Sequence, residues 1–174
     1  IDIDDIVQLA DLARNLDTVF KNQQIYLDGK IVTDEIRSEQ CGNLASKLAA
    51  YAQVRAALTE RQRAFRQPPG LVTDGRDMGS VIFPDAILKI FLTASAEIRA
   101  QRRYNQLIEK GISANISDLL QDIEKRDERD SNRSIAPLLQ CSDARLLDTS
   151  SLTISQAQDT VLAWYNEICA KTSA

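Results

Sequence analysis

The first third of the chain alternates helical spacing of apolar residues with short β-branched runs. Apolar side chains between Asp4 and Leu16 recur on one helical face, and Asp4 or Asp5 is placed to cap that helix. Three short β-branched or aromatic runs follow, and Asp28-Gly29 between the last two is typical of a hairpin turn. The runs are Thr18 to Phe20, Gln24 to Leu27 and Lys30 to Val32. The pattern predicts one helix and then a small antiparallel meander.

Two more helices are predicted over Glu39 to Ala50 and Gln53 to Phe65, and Pro68-Pro69-Gly70 ends the second. Beyond them, compact apolar runs alternate with stretches of helical period, which indicates an α/β body with parallel strands buried on both faces. The predicted strands are Leu71 to Thr73, Ala86 to Leu92 and Ala144 to Leu147.

The intervening helices carry clear start and stop signals. Ser95 caps a helix that runs to Lys110, and Gly111 stops it. A highly charged helix follows from Ser117 to about Arg133. The last helix starts at Ser151 or Thr153 and ends near Ala170. We expect it to turn five residues to the core, with Trp164 in packing rather than ligand stacking. They are Val161, Leu162, Trp164, Tyr165 and Ile168.

Composition narrows the classes of function. With 174 residues, 44% of them hydrophobic, the chain can bury one core, and a net charge of -4 argues against broad nucleic-acid or anionic-membrane binding. The absence of histidine excludes catalytic triads and histidine-based zinc sites. Three scattered cysteines favour a reducing cytoplasm. The lack of a long apolar run predicts neither a membrane span nor a signal peptide.

Arginine is twice as frequent as lysine, which favours a local site for phosphate or carboxylate. The chain opens on Ile1 and its first Met is Met78, so we expect a fragment. Residues Gly70 to Gly75 have the glycine spacing of a Walker A loop, but their interior is a predicted strand and Arg76-Asp77 replaces the required Lys and Ser or Thr. No G-x-x-x-x-G-K-[ST] or G-x-G-x-x-G motif occurs in these residues.

Two stretches could carry chemistry. Asp74-Gly75-Arg76-Asp77 directly follows a predicted strand, where α/β proteins bind ligands, although an exposed turn explains it equally well. In the charged helix, four side chains share a narrow arc; this suits a lid that closes on phosphates, and the alternative is a solvated, ion-paired helix. They are Arg126, Arg129, Asp130 and Arg133. The remaining arginines, including Arg99, are interpreted as surface residues.

Several segments together resemble the bacterial cytidylate kinases, which transfer a phosphoryl group from ATP to CMP or dCMP. These segments span most of the chain: Arg55-Ala-Ala-Leu with Arg61 to Arg66, Gly70 to Gly79, Phe83 to Ala86 with Lys89 to Leu92, and Arg126-Asp-x-Arg129-Asp-x-x-Arg133 before Ala136-Pro137-Leu138. The resemblance implies a P-loop-kinase-like parallel sheet with flanking helices. It makes residues 1–66 the monophosphate-binding insert and residues 67–174 the rest of the α/β core, with a helical lid at about 111–135.

The resemblance also implies roles for individual residues. Ser46, Arg55 and Asp77 would read cytosine, with Asp77 accepting from the exocyclic amine. Arg76 and Arg133 would hold the CMP phosphate, while Arg126 and Asp130 would close on ribose and phosphates. Arg126 and Arg133 are thus the candidate catalytic residues, and Arg102 or Arg103 would face ATP. No protein side chain is expected to bind a metal directly, and Mg²⁺ would accompany ATP.

The family begins with a strand, a Walker A loop and further elements that these residues do not contain. We therefore expect this chain to supply the CMP pocket and lid, to be inactive alone, and to act as a monomer or with a separate N-terminal fragment. Two alternatives stay open: a non-catalytic CMP-binding or interaction module, and a protein whose charged helix is only a salt-bridged surface.

Overall fold

A computed structural model describes residues 2–172 of the chain. The chain divides into two compact units. The first unit contains the described residues up to Asp74 together with Asn132–Pro137. The second unit contains Gly75–Ser131 and the described residues from Leu138 onward. This division differs from the boundary at residue 66 that the resemblance implies, and the functional names of those segments stay predictions.

The first unit is built around two packed helices. Helix α1 (Ile6–Asn15) is capped by Asp5, whose carboxylate accepts from the Gln8 backbone N–H at 2.9 Å. Its Ala10 and Ala13 pack with Val54 of α3 (Ala52–Ala64). These small residues let the two helices approach closely and form the buried cluster of the unit. Helix α2 (Glu39–Leu48) lies between them in the chain and is capped by Ser38.

The predicted antiparallel meander is confirmed. Strands β1 (Thr18–Lys21), β2 (Gln24–Leu27) and β3 (Lys30–Ile31) pair in chain order. Both turns place their central residues at positive φ, with Asn22 at 51° and Gln23 at 61° in one, and Asp28 at 48° and Gly29 at 74° in the other. Such turns match the right-handed twist of the flanking strands, which is why Asp-Gly was informative.

The second unit contains the parallel pair that the sequence predicts. Strand β4 (Ile90–Thr93) pairs in parallel with β5 (Arg145–Asp148). Helix α4 (Ala96–Glu109) begins after the Ser95 cap, and Gly111 follows it at a φ of 72°, as expected. Helices α5 (Ile116–Asn132) and α6 (Ile154–Thr172) complete the unit. The α/β class with a parallel sheet and a separate meander is confirmed.

Two strand predictions need correction. Leu71 to Thr73 forms no strand, and Val72 is fully exposed. Only the last part of the strand predicted from Ala86 to Leu92 is a strand, since pairing begins at Ile90. Apolar sequence alone cannot make a strand, because the ladder requires a hydrogen-bonding neighbour in register.

The expectation of strands buried on both faces is also wrong within the described residues. Leu92 of β4 and Leu146 of β5 are 65% and 55% exposed. Helix α6 likewise leaves Leu162 and Tyr165 exposed instead of turning both to the core. A two-stranded parallel sheet is covered on both faces only when helices lie on both sides of it. Across residues 2–172, no helix combines the length and the apolar character needed to cross a membrane.

Candidate active site

The turn after residue 74 places two of the predicted site residues. Asp77 is only 7% exposed, so the exposed-turn interpretation does not describe it. It precedes a single turn of π-helix (Met78–Ile82), and its backbone carbonyl accepts from the N–H groups of Val81 and Ile82. A π-turn is rare and often marks a functional site. Arg76, directly before it, is half-exposed and directs its guanidinium to α5.

Asp130 is the centre of the charged cluster in the second unit. Its side chain is 2% exposed, and its Oδ2 accepts from Arg76 Nε at 2.9 Å. Arg126 Nε lies 3.9 Å from the same oxygen, one helical turn earlier on α5. That distance is an ion pair but not a hydrogen bond, and Arg126 Nε has no hydrogen-bond partner among the described residues. Two guanidiniums therefore surround one buried carboxylate, which leaves a positively charged group suited to an anion.

The polar backbone near this cluster is also engaged. The Asp130 carbonyl accepts from the Leu138 N–H at 2.8 Å, which fastens the end of α5 to the segment that returns to the second unit.

Arg129, which the helical arc placed beside Arg126, has a buried Nη1 with no hydrogen-bond partner in the described part of the chain. The same arc thus supplies further positive charge, although we did not assign Arg129 a site role from sequence.

Arg99 is a residue whose environment sequence reasoning missed. Its Nη1 donates to Asp127 Oδ1 at 3.0 Å and its Nη2 donates to Asp127 Oδ2, while its Nε donates to the Ala94 carbonyl at 3.1 Å. The hydrogen bond to Asp127 raises the pKa of Arg99 above its ordinary value, against the opposing effect of burial. The surface interpretation of Arg99 missed this contact, because its partner lies 28 residues away and no local pattern links the two.

Arg102, assigned to ATP by resemblance, is engaged with the loop after β5. Its guanidinium donates to Thr149 Oγ1 at 3.1 Å, to the Thr149 carbonyl and to the Leu152 carbonyl at 3.5 Å. Thr149 in turn bonds the Thr93 carbonyl at the end of β4 through both its N–H and its hydroxyl. Arg102 therefore ties α4 to the carboxyl ends of both strands. The neighbouring Arg103 is half-buried.

The remaining predicted residues belong to the first unit. Ser46 on α2 is 5% exposed, and Arg55 on α3 is half-buried. Arg133 Nε donates to the carbonyl of Ala136, a residue held at a φ of 46° in the left-handed region. The structure thus brings Arg76, Arg126 and Asp130 together within the second unit, and it places Ser46, Arg55 and Arg133 in the first.

The described side chains offer no metal cage of their own. Between residues 2 and 172, no group of three or more His, Cys, Asp or Glu residues is arranged to hold a metal ion. Asp130, the most buried carboxylate, already faces guanidiniums.

Comparison with known proteins places the chain in one family. The family model described as cytidylate kinase matches residues 1–167. A cytidylate kinase from Burkholderia mallei is 59% identical over 165 residues, which cover 95% of this chain and 72% of that protein. One from Burkholderia thailandensis is 60% identical over 92% of this chain and 70% of its own length. One from Nitrosomonas europaea is 57% identical over 95% of this chain and 74% of its own length. The chain therefore belongs to the cytidylate kinase family.

Proposed function

We propose that the protein transfers the γ-phosphoryl group of ATP to CMP or dCMP, giving CDP or dCDP. The observation that supports this most strongly is the pair of guanidiniums, Arg76 and Arg126, gathered around the buried Asp130 in a chain of this family. Phosphoryl transfer needs alignment and charge neutralisation more than covalent help from the protein. A site rich in arginine satisfies that need.

The cluster has a chemical logic for the acceptor phosphate. In the free protein the Asp130 carboxylate balances Arg76 and Arg126 and keeps both guanidiniums in place. An arriving phosphate would use guanidinium donors of Arg76 and Arg126 that Asp130 does not engage. Arg133 is proposed as a further phosphate ligand, and Asp130 as a ligand of the ribose. Because these groups are preorganised, little rearrangement would oppose stabilisation of the transition state.

Recognition of cytosine is assigned to Ser46, Arg55 and Asp77, and that assignment rests on the resemblance. Asp77 has the chemistry for it, since a buried carboxylate that accepts from the exocyclic amine of cytosine finds no donor at that position of uracil. A site that leaves a buried polar group unpaired with the wrong base discriminates strongly.

ATP is proposed as the phosphoryl donor, accompanied by Mg²⁺. When bound, the metal would neutralise charge on the phosphates. Arg102 and Arg103 are proposed on the donor side. Since the Arg102 guanidinium is bound to Thr149 and Leu152, its contribution would be to hold the loop after β5. A monomeric state stays a prediction.

The decisive test compares CMP with UMP. Titration calorimetry of the protein with each nucleotide should show binding of CMP in clear preference to UMP. Asp77→Asn should reduce the ratio of the two affinities about ten- to a hundred-fold, as expected for one charge-assisted hydrogen bond. The ratio within one protein is independent of its folded fraction, so a loss of stability does not imitate the effect.

The matched control is Asp74→Asn, which changes an exposed carboxylate three positions earlier and should leave the ratio unchanged. An unchanged ratio in Asp77→Asn would remove Asp77 from the site. Absence of CMP binding by the unaltered protein would overturn the proposed function. CMP binding without phosphoryl transfer from ATP by the full-length protein would favour a binding module.

A further inference from the structure

Helix α5 makes two separate sets of ionic contacts in the second unit. Asp130 and Arg126 face Arg76, which lies in the turn after residue 74. Asp127 faces Arg99 on α4. Asp127 and Asp130 are three residues apart, so their side chains leave the helix at directions about 60° apart. The two sets of contacts therefore lie on adjoining faces of one helix, and the geometry of one constrains the other.

The Arg99 contact is built to set position as well as to pair charge. Its two terminal nitrogens engage both oxygens of Asp127, a fork that fixes distance and orientation together. Its Nε is held by the carbonyl of Ala94, directly after β4. The guanidinium therefore links α5 to the carboxyl end of a sheet strand as well as to α4. A lysine at this position could supply charge, but its three donors share one nitrogen and cannot reproduce the fork to Asp127 together with the bond to Ala94.

We propose that Arg99 is a positioning residue for the acceptor phosphate. By holding Asp127, Arg99 sets the rotation of α5 about its axis and its position along that axis. In this position Asp130 reaches Arg76, and Arg126 faces the phosphate. The proposal rests on the proposed function. It requires no contact between Arg99 and the nucleotide, because Arg99 acts through Arg126 and Asp130. The 2.9 Å hydrogen bond between Arg76 and Asp130 would not survive a displacement of α5 by about 1 Å.

The test uses Arg99→Lys and Asp127→Asn, measured by CMP calorimetry and thermal unfolding of the protein. Each variant should weaken CMP binding about ten-fold at a temperature where it is folded, because Arg126 is no longer aligned. Asp127→Asn keeps the shape of the side chain, so it carries the test if Arg99→Lys does not fold.

The second unit contains a matched control pair. Arg145 and Glu167 form an ion pair at 2.9 Å, with side chains 33% and 46% exposed, against 34% and 34% for Arg99 and Asp127. Arg145→Lys and Glu167→Gln should shift the thermal midpoint by a similar amount while CMP affinity stays within about two-fold of the unaltered protein. If Arg99→Lys and Arg145→Lys affect CMP affinity equally, the Arg99 contact is structural only and the proposal is overturned.

A double-mutant cycle separates positioning from an independent effect on binding. In an Arg126→Met background, Arg99→Lys should have little further effect on CMP affinity, since the group that it positions is gone. Fully additive effects would overturn the proposal. Failure of the unaltered protein to bind CMP would overturn the proposed function as well, whereas CMP binding with an inert Arg99→Lys would overturn the positioning role alone.

Discussion

Two clusters in the second unit each place two cationic side chains around one carboxylate, in very different surroundings. Asp130 pairs with Arg76 at 2.9 Å and lies 3.9 Å from Arg126, four residues earlier on its helix. Glu167 pairs with Arg145 at 2.9 Å and with Lys171 at 2.9 Å, four residues later on its helix. Each carboxylate thus holds one distant cation and one from its own helix. Asp130, however, is 2% exposed, whereas Glu167 is 46% exposed.

The difference shows how burial fixes the geometry of an ion pair that would be loosely held at the surface. Water can replace either partner of Glu167, so that cluster is screened and its geometry is loosely held. Asp130 has no such alternative, because an unpaired buried carboxylate is costly. The side chains around Asp130 are therefore kept in a defined arrangement before any ligand arrives. Of these two clusters, the buried one is the better preorganised to receive an anion.

The largest expected effect on stability is at the buried carboxylate. Asp130→Asn removes the charge that Arg76 and Arg126 share, and the free energy of unfolding should fall by about 1.5–3 kcal/mol, the range for hydrogen bonds to charged groups. Glu167→Gln, the exposed counterpart, should lower the free energy of unfolding clearly less, because solvent screens its ion pairs. Urea denaturation of both variants checks this. Equal losses in the two variants would show that burial does not separate the clusters.

A smaller effect is expected at the loop after β5. Arg102→Met removes the donors to Thr149 and Leu152, and the free energy of unfolding should fall by about 1 kcal/mol, since the side chain is exposed while one acceptor residue is buried. Arg102→Lys keeps the charge without the fork and should recover only part of the loss. Full recovery in Arg102→Lys would indicate that charge alone, rather than directed hydrogen bonding, holds the loop.

The smallest effect is a dependence on pH at the exposed cluster. Hydrogen bonds from Arg145 and then Lys171 lower the pKa of Glu167 from 4.5 to about 2. A lowered carboxylate pKa stabilises the fold above the ordinary value, and that contribution disappears as the pH falls toward 2. The urea midpoints of the unaltered protein and of Glu167→Gln should therefore differ at pH 6 and converge between about pH 4.5 and 2. A constant difference over that range would contradict the assignment.

Local signals predicted the local features of the fold well. The caps Asp5 and Ser95, the glycine after α4 and the Asp-Gly hairpin all act within a few residues, and each was found where expected. The run Leu71 to Thr73 failed as a strand because pairing depends on a neighbour that its own residues do not specify. For the same reason, the apolar pattern predicted Leu92 and Leu146 to be buried, although both are exposed.

The candidate site divides in the same way. Spacing on α5 indicated that Arg126, Arg129 and Asp130 share one face, and the resemblance supplied roles for Arg126 and Asp130. Neither source indicated that Asp130 would be buried against Arg76, 54 residues away, or that Arg99 would hold Asp127. Arg102 was assigned to ATP, and its engagement with the loop after β5 emerged only when its neighbours were known.

The amino-acid sequence alone determined the α/β class, the helix ends and turns, the excess of guanidinium groups and membership of a recognisable family, because those properties depend on residue type and short-range spacing. Tertiary structure decided which carboxylate is buried, which arginines surround that carboxylate and which face of α5 is turned toward them. Those properties follow from desolvation and from distances between remote segments, and neither quantity exists until the chain has folded.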